Sequence, residues 1–314
     1  MSLGRRQARV LIAKFLLASF CFALVPVAVE SYFRLAWDES DGWALSAMHQ
    51  RWKKRYWGPK NRSGFRDIEQ SRGELAGNKI LLVVGDSYTV GFGIKRREDR
   101  FVDILRSRVD EDWRVVMRAS GGWNTPEHLL AIESFHPRPE IVVLQYSVND
   151  IFAVRFDVDV HYPEGVVKAI TDRSLFADYI YWRLERRRIN RLPKYQDFYE
   201  RAFLNPQAWT DHERHLGAIV DLCERNGMKL VVVLIPDLTD VVHTAQFTGQ
   251  TARFLASRGV TSLDLASDYA HEAAENLVAG PLDSHGNERV HADIAERILE
   301  VLDEPLSVPA PSPH

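Results

Sequence analysis

From about residue 79 the apolar residues fall into short continuous runs separated by longer stretches of helical periodicity. The runs at Ile80 to Val84, Arg114 to Met117, Ile141 to Tyr146, Leu230 to Ile235 and Thr261 to Leu265 are too short for helices and rich in branched residues, so they predict buried parallel strands. Helix starts are legible between them. Thr125-Pro126 reads as an N-cap followed by proline at the first helical position. Thr210-x-x-Glu213 reads as a capping box opening an amphipathic helix through Leu216, Ile219, Val220 and Cys223, ended by Gly227. Such alternation predicts a three-layer α/β/α sandwich whose parallel sheet has about five strands, with ligands collecting outside the carboxyl ends of the strands.

Other stretches break this alternation. Residues 1–30 hold Arg5, Arg6 and Arg9 followed by an apolar run from Val10 to Val29 with one charge, Lys14, a length of about 20 residues that can cross a bilayer. No small-x-small cleavage site follows it, so the expectation is a retained single-pass anchor in the cytoplasmic membrane. The basic residues before the span place the remaining chain on the periplasmic or extracellular side. Residues 31–78 are expected to link this anchor to a domain over 79–303 and to pack partly upon it. Within that domain 151–209 reads as an insertion, with a helix from Ser174 to Arg188, forming a cap or side of a pocket. The tail 304–314, with four prolines, is expected to be disordered.

Composition narrows the possible functions. A charge of -3, with 46% hydrophobic and 26% charged residues, is ordinary globular chemistry with no sign of a polyanionic partner. The basic stretches Arg51 to Arg55 and Arg183 to Arg188 read as solvated faces, and nucleic-acid binding is not expected. Cys21 lies in the apolar run and Cys223 in a predicted helix, which disfavours a disulfide between them.

The first strand ends in Gly85-Asp86-Ser87-Tyr88-Thr89-Val90-Gly91-Phe92-Gly93. A serine at the carboxyl end of a strand is placed to be a nucleophile. The loop has neither a Walker lysine nor G-x-G-x-x-G, which disfavours nucleotide binding. Thr89 stands where G-x-S-x-G would need its second glycine, so a nucleophile elbow is also disfavoured.

Gly85-Asp86-Ser87 resembles the first block of the SGNH/GDSL hydrolases, and three later segments resemble the family's further blocks in order. They are Gly121-Gly122-Trp123-Asn124-Thr125, Ser147-Val148-Asn149-Asp150 and Asp283-Ser284-His285. The resemblance covers roughly Ser63 to Leu302 and is to serine esterases, here of a membrane-anchored bacterial type with a flavodoxin-like fold. It implies Ser87 as nucleophile, His285 as base and Asp283 as the acid orienting it. It also implies an oxyanion hole of the Ser87 amide, the Gly122 amide and the Asn149 side chain, chemistry that needs no cofactor or metal. The sequence departs from the family in spacing acid and base as D-x-H, with Leu282 three positions before His285, and in having Gly286 where proline usually follows the histidine.

His291 lies in the predicted last helix and is expected to be a surface or packing residue, leaving His285 as the base. His212 and His215 read as a helix face rather than a metal pair. Tyr88, Phe92 and Trp123 flank the expected site as core or pocket wall, and Asn61-Arg62-Ser63 fits a glycosylation sequon. The expected function is hydrolysis of carboxylic, short-chain O-acyl or acetyl esters, the substrate being a small-molecule or glycan ester. An O-acyltransferase acting on envelope or exported polysaccharide, and a non-catalytic glycan-binding module, are the alternatives.

Overall fold

The computed structural model describes residues 2–151, 160–192 and 198–303. The chain begins with α1 (Ser2–Leu35), α2 (Ala47–Tyr56) and α3 (Arg72–Leu75), then enters the sheet with β1 (Lys79–Gly85). There follow α4 (Ser87–Val90), α5 (Phe101–Arg108), β2 (Trp113–Ala119), α6 (Thr125–Glu133) and β3 (Ile141–Ser147). The insertion contributes α7 (Gly165–Thr171), α8 (Leu175–Asn190) and α9 (Phe198–Phe203). Next come α10 (Pro206–Arg225), β4 (Lys229–Ile235), α11 (Val241–Ser257), β5 (Thr261–Asp264) and α12 (Ala266–Tyr269). The described chain ends with β6 (Val278–Gly280), β7 (Asp283–Gly286) and α13 (Glu288–Asp303). The expected tail lies outside the described residues.

Five parallel strands form one sheet in the order β2-β1-β3-β4-β5. The register sets Leu82 beside Val116 on one side and Val142 on the other. Side chains of β1 alternate between the faces, as strand geometry requires. Leu81 and Val83 pack with Phe101 and Leu105 of α5 and Val290 and Ile294 of α13. Ile80, Leu82 and Val84 pack with Ile132 of α6 and Leu216, Ile219 and Val220 of α10. Helices therefore cover both faces of an α/β/α sandwich, and each large apolar side chain fully buried in this way contributes about 1.5–3 kcal/mol. The chain passes from β1 outward to β2 and returns to the other side of β1 as β3. This reversal opens a crevice at the carboxyl ends of β1 and β3.

Two helix starts differ from the sequence expectation. The N-cap of α6 is Asn124, one residue earlier than expected, in a capping box with Glu127; Thr125 instead donates its hydroxyl to the Asp150 carbonyl at 3.2 Å. The helix expected from Thr210 begins one turn earlier, at Pro206. Asn205 Oδ1 accepts from the Gln207 and Ala208 amides, both at 3.0 Å, so the orphan donors of the first turn are already met. Thr210 then lies inside the helix and donates to the Pro206 carbonyl at 2.8 Å. Gly227, at φ +64°, ends this helix in the left-handed conformation glycine tolerates.

Among the described residues α1 is one helix long and apolar enough to cross a membrane, over Val10–Leu35 with mean hydropathy 2.3. The 31–78 stretch packs on the domain through the buried Phe33, Met48 and Trp52. The basic stretches are not wholly solvated faces. Arg51 donates to the Phe33 carbonyl at 3.1 Å, and Arg186 donates to the Leu282 carbonyl and lies 5.0 Å over the Trp43 ring.

Candidate active site

Asp86 closes β1 and caps α4, accepting from the Tyr88 amide at 2.9 Å. Ser87 is thus the first residue of a short helix at the carboxyl end of β1, where its backbone N–H has no intrahelical acceptor. The far end of that helix is held by two buried guanidiniums. Arg66 donates to the Val90 and Gly91 carbonyls, both at 2.9 Å, and Arg100 to the Val90 carbonyl at 3.2 Å. Cations at a helix C-terminus are electrostatically favoured, so this pair fixes the turn that carries Ser87.

The acid-histidine segment lies on β7, paired antiparallel with β6, a small hairpin the sequence pattern had not suggested. In a strand, residues i and i+2 point to the same side. Asp283 and His285 are accordingly both buried while Ser284 between them is exposed, and the D-x-H spacing brings carboxylate and imidazole together. His285 Nδ1 lies 2.5 Å from Asp283 Oδ1, and His285 Nε2 lies 2.7 Å from Ser87 Oγ. With Asp283 ionised, the proton on that ring edge must sit on Nδ1, which leaves Nε2 to accept the Ser87 hydroxyl.

The electrostatics agree with that assignment. Burial alone would raise the Asp283 pKa, but the charge of His285 and hydrogen bonds from His285 and Ser40 bring it down to about 2. Burial alone would lower that of His285, and the Asp283 carboxylate outweighs it, leaving the imidazole above its ordinary value. The Tyr88 and Phe92 rings lie 5.1 and 5.0 Å from the imidazole. Phe92 is core and Tyr88 half-buried, its hydroxyl donating to the Ser284 carbonyl at 3.3 Å. Trp123 packs at 5.8 Å from Phe65, away from the imidazole contacts.

Residues expected to donate to an oxyanion stand at the ends of β2 and β3. Gly122 has φ +78° and nothing within 4 Å of where a Cβ would be, so its backbone is accessible. Asn149 follows β3, and its Oδ1 contacts the Ser147 hydroxyl. Ser147 Oγ also lies 2.9 Å from Asp86 Oδ2, and the Ser147 amide donates to Asp150 Oδ2 at 3.0 Å. Asp86 and Asp150 are buried, and burial pushes both carboxyls upward.

Several residues of this neighbourhood were not singled out from the sequence. The Ser40 hydroxyl donates to Asp283 Oδ2, and the Gly42 amide donates to the Leu282 carbonyl at 2.9 Å. Both come from the stretch read as a linker, whose lack of periodicity gave no signal of a role. His49, buried on α2, accepts from the Asp41 amide at 3.3 Å and lies against the Phe92 ring at 5.7 Å. Gly93 has φ +82°, and a Cβ there would fall 2.2 Å from that of Ala279, so the hairpin carrying Asp283 closes directly on the loop after Ser87.

The other candidates have structural surroundings. His291 is buried, accepts from the Phe101 amide at 3.2 Å and is pushed down to about 3 by burial. His212 is buried with its Nε2 3.0 Å from the Tyr146 hydroxyl. Asn61 Oδ1 accepts from the Phe65 amide at 3.0 Å in a turn. Cys21 and Cys223 are both free thiols.

No family model matches the sequence, and no curated protein matches it. Solved structures with a similar course of the chain include a member of the lipolytic protein G-D-S-L family from Veillonella parvula, at 15% identity over 72% of this chain and 100% of that one, TM-score 0.45. Another is the psychrotrophic esterase EstA from Pseudoalteromonas sp., at 12% identity over 72% and 98%, TM-score 0.42. A two-domain esterase active on acetylated mannans is similar at 14% identity over 76% of this chain and 54% of that one, TM-score 0.43. Likeness this distant leaves the chemistry to the contacts described above.

Proposed function

We propose that the protein is a serine esterase that cleaves carboxylic, short-chain O-acyl esters. The observation that carries this reading is the continuous chain of contacts from Asp283 through His285 to Ser87, 2.5 and 2.7 Å long in its two links. The second contact is within the hydrogen-bond reach a base requires, which favours a catalytic site over a glycan-binding scaffold. Ser87 Oγ attacks the ester carbonyl as its proton passes to His285 Nε2; the C–O bond to the alcohol then breaks as that proton returns to the leaving oxygen. Water, deprotonated by the same nitrogen, attacks the acyl carbon; the bond to Ser87 Oγ then breaks as His285 Nε2 returns the proton to Ser87, and the acid leaves. Asp283 holds the ring in the tautomer with the proton on Nδ1 and stabilises the imidazolium.

The oxyanion would be met by the Ser87 and Gly122 amides and the Asn149 side-chain amide. A serine hydroxyl has one proton and here faces two acceptors, Asp86 Oδ2 and Asn149 Oδ1. If Asp86 is protonated, it donates to Ser147, which donates to Asn149 Oδ1 and leaves Nδ2 available for the substrate. The upward shift of Asp86 on burial supports that order.

In this reading α1 is a single-pass anchor and the hydrolase domain lies on the non-cytoplasmic side, where acetylated glycans would be accessible substrates. The test is reaction of the detergent-solubilised full chain with an alkyl fluorophosphonate. A stoichiometric phosphonyl adduct on Ser87 by peptide mass spectrometry, abolished in His285→Ala, is expected; an intact protein bearing no adduct would contradict the reading.

A further inference from the structure

Helix α7 is apolar and almost wholly uncovered. Val166 is 77% exposed and Ile170 53%, and of its residues only Thr171 is buried. The next helix is exposed along an apolar stripe as well: Phe176, Ile180 and Leu184, spaced four apart on α8, are all exposed, Leu184 at 57%. A stripe of that spacing ordinarily faces a core. Phe33 of α1 meets the Phe176 end of the stripe at 5.5 Å, and the side chains beyond it stay exposed.

The position of this face relative to α1 indicates what covers the rest. The large apolar side chains of α1 from Val10 to Val27 are exposed, Tyr32 and Leu35 are exposed again further on, and the first side-chain hydrogen bonds of the helix to the domain are made by Glu30. There the Glu30 carboxylate accepts from the Ser174 hydroxyl at 2.7 Å and from the Leu175 and Phe176 amides at 3.1 and 3.2 Å, so it caps α8. Arg34 pairs with Glu30 at 2.7 Å and donates to the Arg173 carbonyl at 2.6 Å. The turn between α7 and α8 is thereby fixed at Glu30, the first acidic residue of α1. Ile170 lies within one turn of it, its carbonyl accepting from the Ser174 amide at 2.9 Å. At the same level Phe33 meets Phe176 at 5.5 Å and Tyr179 at 5.0 Å, and Trp37 stacks on Phe33 at 5.2 Å. Aromatic rings gathered where a span leaves the hydrocarbon mark the headgroup level.

We infer that α7 and the Phe176–Ile180–Leu184 stripe of α8 lie in the headgroup region of the bilayer that α1 enters, as an interfacial platform fixed to the anchor. The inference rests on α1 being a membrane anchor. The apolar side chains meet the acyl boundary, while Arg183 and Arg187 beside them favour anionic headgroups, Lys168 being paired with Asp172 at 2.8 Å. Because Arg186 of the same helix donates to the Leu282 carbonyl, next to Asp283, the platform also holds the candidate site at a set height above the membrane.

The test uses the full chain with Cys21→Ser, Cys223 being buried, and single cysteines replacing Val166, Ile170, Ile180, Leu17 or Ser257, each labelled with a small fluorophore. Variants that melt like the parent are reconstituted into phosphatidylcholine–phosphatidylglycerol vesicles containing lipids spin-labelled near the headgroup or, for the label at 17, along the acyl chain. The platform requires labels at 166, 170 and 180 to be quenched about threefold or more relative to 257. Quenching at 17 but not at 166, 170 and 180 overturns the platform and leaves the anchor standing. Blue-shifted emission at 166 and 170 without quenching overturns it in favour of a protein cover. Absence of quenching at 17 removes the anchor and the inference together.

Discussion

The Ser40 hydroxyl donates a hydrogen bond to Oδ2 of Asp283, the carboxylate oxygen turned away from His285. A residue from the stretch between α1 and β1 therefore completes the surroundings of the acid, 243 positions further along the chain. Ser40→Ala should lower kcat on aryl acetate by about tenfold with KM nearly unchanged, and cost about 1.5–3 kcal/mol of stability, the usual worth of a hydrogen bond to a charged group. Paired kinetic and urea-unfolding measurements check this, and a change confined to KM would contradict it.

The pH dependence follows from the shifted pair. Since His285 must be neutral to act as base and its pKa stands above the ordinary 6.5, kcat/KM should rise with pH through a midpoint above 6.5. Stability should show the complementary signs. The depressed Asp283 contributes stability that is present above its unfolded value of 3.8 and lost as pH falls through about 2. The raised His285 contributes stability that is full below 6.5 and lost as pH rises through its folded pKa. Asp283→Asn should flatten both limbs of the stability profile and reduce kcat by on the order of ten-thousandfold, because the imidazole loses its orienting partner. Unfolding midpoints across the pH range decide it.

The contact of Ser147 with both Asp86 and Asn149 gives a prediction about protons. Asn149→Ala should reduce kcat by about a hundredfold to a thousandfold, the range for losing one oxyanion donor. If Asp86 is the protonated donor at the end of the chain, Asp86→Asn replaces an O–H donor by an N–H donor and should keep kcat within about tenfold, whereas Asp86→Ala should lose considerably more. Equal losses in the two variants would contradict that order of donors.

Two glycines at positive φ should respond differently to alanine. At Gly93 the new Cβ would meet the Ala279 Cβ at 2.2 Å, so Gly93→Ala should push the hairpin of Asp283 away and lower stability by well over the roughly 1–2 kcal/mol that positive φ alone costs. At Gly122 nothing lies within 4 Å of that position, and Gly122→Ala should cost only that conformational amount. Comparison of their melting curves tests the difference.

The fold was legible because its sheet is parallel and covered on both faces. Leu81 and Val83 look one way and Leu82 and Val84 the other, so the strands stood out as continuous apolar runs. The start of α10 differs from the sequence expectation because Asn205-Pro206 and Thr210-x-x-Glu213 are both valid openings, and only the hydrogen bonds of Asn205 decide between them. Around the candidate site, Ser87 and His285 were marked by short motifs. Ser40 and Gly42 were not, since a lone serine and a lone glycine in an aperiodic segment carry no pattern. The D-x-H spacing read as a departure until β7 supplied its reason, a strand in which every second side chain shares a face.

The most direct measurement of the central claim is hydrolysis of a short-chain aryl acetate by the detergent-solubilised full chain beside Ser87→Ala and His285→Ala. Shortening the chain past Glu30 would remove the cap of α8, so α1 is best retained. The account predicts turnover by the parent and losses on the order of a thousandfold or more in both variants, with the variants as stable as the parent. A folded parent without turnover, or undiminished turnover by Ser87→Ala, would contradict it.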